Sequence, residues 1–115
     1  KNTAGDDAKM GYFTFARVVG SIFKPEDNAR GVRLAIAEAI NAGLTSVHNW
    51  SHNIVDPAFA DAELGAHRAM GHRALFGYGY FGIGMQNQTV NVADLERVND
   101  RWIRPSECVH AWRIG

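Results

Sequence analysis

Hydrophobic positions along the chain recur first at helical and then at strand spacing, and the alternation repeats three times. Residues 10–23, Met-Gly-Tyr-Phe-Thr-Phe-Ala-Arg-Val-Val-Gly-Ser-Ile-Phe, predict a short helix whose aromatics pack against a neighbour, although Gly11 and Gly20 weaken it. Lys24-Pro25-Glu26-Asp27 reads as a helix start: proline fits the first turn, and the carboxylates oppose the positive end of the helix dipole. From there Val32, Ile36, Ala39, Ile40 and Gly43 recur at three- and four-residue spacing, predicting a helix over 25–42. Gly43 caps it, and the partly β-branched segment 44–49 predicts a strand.

The second round opens with Asp56 as N-cap before Pro57, continues through Phe59, Ala62, Glu63, Ala66 and Met70, and stops at Gly71. A strand over 73–81 follows, its glycines marking places where backbone or ligand approaches closely. In the third round, Asn91 or Asp94 caps a helix through Leu95, Val98, Trp102 and Ile103 that Pro105 stops, and 108–114 predicts a third strand. Helix-to-strand passages about thirty residues apart predict right-handed βαβ crossovers, a parallel sheet and the α/β fold class. Three strands are too few to close a barrel of eight, so the chain is expected to form either a small open sheet or part of something larger.

Composition bounds the picture without sharpening it. The 115 residues suffice for one domain, and 46% hydrophobic with 21% charged residues is ordinary globular usage. Twelve basic side chains balance twelve acidic ones, which points to neither nucleic acid nor an anionic membrane as partner. Apolar runs stay far below the roughly 18 residues of a membrane span. Lone Cys108 excludes an internal disulfide and fits a reducing, cytoplasmic setting. The first residue, Lys1, suggests a boundary set by processing or truncation.

Gly31-Val-Arg-Leu-Ala-Ile-Ala-Glu-Ala-Ile-Asn-Ala-Gly-Leu-Thr-Ser-Val-His-Asn-Trp-Ser-His-Asn53 carries a family resemblance, concentrated in Glu38 to Val47. Together with Ala69-Met-Gly-His-Arg-Ala-Leu-Phe-Gly-Tyr-Gly79 and Asp94-Leu-Glu-Arg-Val98, it resembles the amidohydrolase superfamily, in the branch of cytosine deaminase and the chlorotriazine hydrolases. The resemblance implies a partial (β/α)8 TIM barrel, with this chain covering about strands two to four. It also implies hydrolytic deamination or dechlorination of an N-heterocyclic or related C–N substrate by an enzyme using zinc or iron. Members of that branch hold the metal with a His-x-His on strand one, a His on strand five and an Asp on strand eight. None of these positions falls within this chain, so the chain alone is expected to bind no metal and turn nothing over. The alternative is a free-standing, non-catalytic α/β binding or oligomerising domain.

Ligands of parallel α/β folds sit beyond the carboxyl ends of the strands, which makes Asn49, Trp50, Ser51 and His52 the candidate substrate-binding residues. Trp50 either stacks on a planar ring or covers the barrel rim. Phe81 and Gly82 hold a weaker claim of the same kind. His48 and His52 stand four apart, a metal spacing on a helix that a strand end and loop do not preserve; His48 is expected inside the barrel and His52 at a loop cap. His67 and His72 are expected on solvated surface or paired with the helix C-terminus. Cys108 and His110 read as strand packing, and Glu26-Asp27 as a helix first turn. Asp6-Asp7 reads as part of a polar tail. Gly77-x-Gly79 and Gly82-x-Gly84 do not open a helix and are rejected as phosphate loops. Three parallel strands leave two edges open, so association with another copy or with the remainder of a barrel is expected.

Overall fold

The computed structural model describes residues 11–79, 89–106 and 109–113. The order of elements is α1 (Tyr12–Ile22), α2 (Pro25–Asn41), β1 (Ser46–Ser51), α3 (Pro57–Met70), β2 (Arg73–Tyr78), α4 (Val92–Val98) and β3 (Val109–Arg113). A π-helical turn over Asn99–Ile103 extends α4. The three strands form one parallel sheet in the order β1-β2-β3, with His48 beside Leu75 and Trp50 beside Gly77. Across the second pair, Ala74 lies beside Val109 and Phe76 beside Ala111. The α/β class and the parallel pairing expected from the sequence are therefore present.

The punctuation is local and physical. Asp27 accepts from the Lys24 N–H at 3.1 Å and pairs with Arg30 at 2.8 Å, so the Glu26-Asp27 pair does serve the first turn of α2. At the other end Gly43, φ 76°, lets its own N–H reach the Ile40 carbonyl and the Leu44 N–H reach that of Ala39. Leu44 is thereby held in the helix cap, and this is why β1 begins at Ser46 rather than at 44. The Asp56 carboxylate accepts from the Ala58 N–H at 2.8 Å, and Gly71 closes α3 in the left-handed conformation. Of the two candidate caps for α4, Asn91 takes the role by accepting from the Asp94 N–H at 3.1 Å. Asp94 instead turns inward to Tyr78 and Arg97.

Hydrogen bonds and ring contacts place α2, α3 and α4 on one face of the sheet. From β1, Asn49 and Ser51 reach Glu63 of α3, which also receives Asn28 of α2. From β2, Phe76 meets His67 of α3 edge-on, and Tyr78 donates to Asp94 of α4. The core between these layers gathers Ile54, Ala60, Leu64, Phe76, Tyr78, Val98, Ile103 and Val109. A second joint ties α3 to α4: Asp61 accepts from Arg97 at 2.8 Å, Arg101 at 3.2 Å and the Trp102 indole at 2.6 Å. Burial alone would push the Asp61 carboxyl up, but these hydrogen bonds and the two guanidinium charges hold it below the usual carboxylate range. Arg68 and Arg101 also stack on the Trp102 ring, at 5.4 and 5.3 Å from its centre.

Other sequence expectations need correction as well, among them the packing of the aromatics over 10–23, since Phe15 and Phe23 are exposed. His67 and His72 are not on solvated surface: they are 1% and 9% exposed. His67 follows Glu63 by one helical turn and so shares its sheet-facing side, while His72, just past the Gly71 turn, points back to the Leu44 carbonyl at 2.9 Å. Ile40 does not complete the buried stripe of α2; it is 51% exposed, and Asn28 and Ala29 join Ile36 and Ala39 at the interface instead. The strand expected over 73–81 ends as β2 at Tyr78, with residues 80 and 81 outside the described set.

β1 and β2 close on each other just beyond their ends, where the Gly79 N–H donates to the Ser51 carbonyl at 2.9 Å. A Cβ at position 79 would overlap that carbonyl oxygen and sit 3.3 Å from His52 Cα. Gly79→Ala should therefore force the strand ends apart and lower stability by about 1–3 kcal/mol, read as a reduced denaturant midpoint. An unchanged midpoint would contradict this close approach.

Candidate functional site

Strand alternation divides the four candidate residues between two environments. Asn49 and Ser51 point toward the helices. Trp50 and His52 belong to the opposite face, where His48 joins them. The His48 and Trp50 ring centres lie 5.1 Å apart, and those of Trp50 and His52 lie 5.6 Å apart. Trp50 is 44% exposed, and its register partner on β2 is Gly77. His48 is exposed on this ladder.

Beneath β1 lies a polar cluster that the hydrophobic pattern did not single out. Glu63, 5% exposed, accepts from Asn28 Nδ2 at 2.7 Å, Asn49 Nδ2 at 2.8 Å and Ser51 Oγ at 2.9 Å. Asn49 Nδ2 also lies 3.0 Å from His67 Nε2. Asn53, in the loop after β1, donates to Asn28 Oδ1 at 3.1 Å. Two amides and a hydroxyl therefore meet one buried carboxylate, the arrangement that makes such burial tolerable. Burial pushes the Glu63 carboxyl up from its ordinary value, and the three donors oppose that rise.

Glu63 could have been suspected from its placement. It lies four residues after Phe59 and four before His67, so a carboxylate falls on the side of α3 that carries the buried stripe. Its partners lie 12 to 35 residues away in sequence, which no local pattern exposes.

Burial, with a smaller contribution from the nearby His72, lowers the His67 pKa from 6.5 to about 4. Nδ1 of both imidazoles is buried without a hydrogen-bond partner among the described residues. Among the described residues, no three His, Cys, Asp or Glu side chains are placed to hold a metal ion, and no helix is long and apolar enough to cross a membrane. The residues Phe81, Gly82, Gly84, Cys108 and Asp6-Asp7 lie outside the described set, as do the neighbours of His110 at 107 and 108. Comparison with protein-family models, with curated proteins and with solved structures gives no match.

The His67 shift fixes a pH dependence. The unfolded chain protonates this imidazole near 6.5 and the folded chain only near 4, so the stabilisation is complete above about pH 6.5 and is lost as pH falls toward 4. Glu63, shifted upward, runs the other way, its contribution falling as pH rises through the folded pKa. Replacing His67 by Gln retains an acceptor for Asn49 and removes the titration. The variant should lose about 3 kcal/mol less stability than the parent between pH 6.5 and 4, measured by urea unfolding at several pH values. Parallel pH profiles for parent and variant would contradict the assignment.

Proposed function

We propose that the chain is a segment of an amidohydrolase-like (β/α)8 barrel, equivalent to about strands two to four. The complete enzyme would hydrolytically deaminate or dechlorinate an N-heterocyclic or related C–N substrate in the cytoplasm. The observation that carries this reading is the strand order β1-β2-β3, all parallel, with α2, α3 and α4 meeting one face. A doubly wound sheet reverses its order and carries helices on both faces only across its switch point, so one of its halves shares this pattern, and the resemblance over Glu38 to Val47 is what favours the barrel. A barrel keeps sequential order, places its helices outside and turns the other face inward.

On this reading the ladder of His48, Trp50 and His52 faces the barrel interior and rises toward its mouth. Trp50, with bare Gly77 alongside, offers a ring face to a planar substrate, and His52 edges the same surface. Asn49 and Ser51 support this face from behind through Glu63 rather than touching substrate. The described residues do not fit the zinc or iron site of such an enzyme, so no chemical step is assigned to them. Another copy, or the remainder of the barrel, would cover the inward face and the open sheet edges.

The coding sequence on either side of the chain, followed by an assay of its full product, tests the proposal. The expected result is a His-x-His upstream and release of ammonia or chloride from substituted N-heterocycles by the zinc- or iron-loaded protein. Trp50→Ala should raise KM roughly 2- to 10-fold, the worth of one aromatic stack. Flanking sequence without the histidine pair, and a full product without turnover, would overturn the reading in favour of a free-standing binding domain.

A further inference from the structure

Asn49 occupies an unusual position, because its single amide nitrogen serves two titratable side chains. Nδ2 lies 2.8 Å from Glu63 Oε2 and 3.0 Å from His67 Nε2. An amide nitrogen has two hydrogens and no lone pair to offer, so both contacts require acceptors. Glu63 meets that demand as the carboxylate. His67 meets it only if Nε2 is bare, which places the proton of the neutral ring on Nδ1. Among the described residues that proton is buried without a partner, so the network holds the ring in a tautomer its described surroundings do not reward.

We propose that Asn49 is a hydrogen-bond switch through which the charge of Glu63 dictates the position of the proton on His67. While Glu63 is ionised, Asn49 must aim Nδ2 at it, and His67 Nε2 must remain an acceptor. Protonating Nε2 would set an N–H against an N–H. The clash is relieved only by turning the Asn49 amide so that Oδ1 faces His67, which also turns Oδ1 toward Glu63. Two oxygens accept each other's company there only if Glu63 carries a proton and donates it. The alternative setting is then complete: Glu63 O–H and His67 Nε2–H both donate to Asn49 Oδ1.

The groups surrounding the switch leave this control with Glu63. From α2 the carboxylate meets the Asn28 amide, from β1 the Asn49 amide and the Ser51 hydroxyl. From β2, His67 meets the Phe76 ring edge-on at 6.2 Å, and among the described residues His72 bears on it by charge. Burial raises the proton affinity of Glu63 and lowers that of His67 to about 4, below the ordinary carboxyl value, so that on acidification Glu63 takes its proton first.

The consequence inverts the usual electrostatic expectation. Removing a nearby anion ordinarily makes an imidazole harder to protonate. Here Glu63→Gln should make it easier, because the introduced amide can accept from Asn28 and Ser51 through its oxygen and donate to a turned Asn49 through its nitrogen. Nitrogen-15 NMR of the imidazole in the full chain decides the matter. In the parent at neutral pH, His67 should be protonated at Nδ1; in Glu63→Gln, the proton should move to Nε2 and the pKa should rise. An acid titration of the parent, following the Glu63 carboxyl carbon and the His67 ring together, provides a reading that needs no variant. His67 should never become charged while Glu63 is ionised. An Nε2–H tautomer in the parent, an unchanged tautomer in a folded Glu63→Gln, or a charged His67 beside an ionised Glu63 would each overturn the proposal.

Discussion

A single buried carboxylate organises the junction on which the rest of this structure depends. Glu63 leaves water on the inner side of α3 and recovers hydrogen bonds from Asn28 on α2 and from Asn49 and Ser51 on β1. An uncompensated charge there would cost several kcal/mol, so helix, helix and strand must arrive in one arrangement to satisfy it. Asn53 extends the constraint into the loop after β1 through Asn28. Once Asn49 and Ser51 are committed to the helix layer, strand alternation leaves His48, Trp50 and His52 on the other face. The geometry of the candidate site thus follows from a group that does not belong to its surface.

The order of elements was legible because each boundary has a local cause. Gly43 and Gly71 end helices, Asp56 and Asn91 begin them, and the apolar spacing between these marks selects helix or strand. Chain repetition also conveyed parallel pairing, since short βα passages admit little else. The candidate site was legible only as a segment. Residues 49 to 52 do lie at the end of β1, but their division between two faces depends on which side the helices occupy, and that is settled by contacts between distant residues. His67 was misplaced because a polar residue on a helix reads as solvated until a strand or a second helix brings its partners, and Glu63, though it falls on the periodic trace of α3, showed no role for want of those same distant partners.

The α3–α4 joint follows a different rule. Asp61 is partly open to water and is answered by two arginines and an indole, and Arg97 also reaches the buried Asp94 that receives Tyr78. Charge is balanced there by charge, whereas Glu63 is balanced by dipoles. The pairs of Asp61, which is partly open to water, tolerate the loss of a member at small cost, because water replaces it. The dipole-held carboxylate is closed off from water, and its removal would take an acceptor from Asn28, Asn49 and Ser51 at once.

That difference makes the denaturant midpoint of Glu63→Leu, compared with the parent at neutral pH, the most direct measurement of the account. Leucine has about the right volume, but it removes the acceptor of the Ser51 hydroxyl and the shorter of the two contacts made by each of the Asn28 and Asn49 amide nitrogens. The account predicts a loss of about 3–5 kcal/mol, with Glu63→Gln falling between the two because it keeps an acceptor for Asn28 and Ser51. A Glu63→Leu protein as stable as the parent, or more stable, would contradict the claim that this carboxylate holds β1 to its helices.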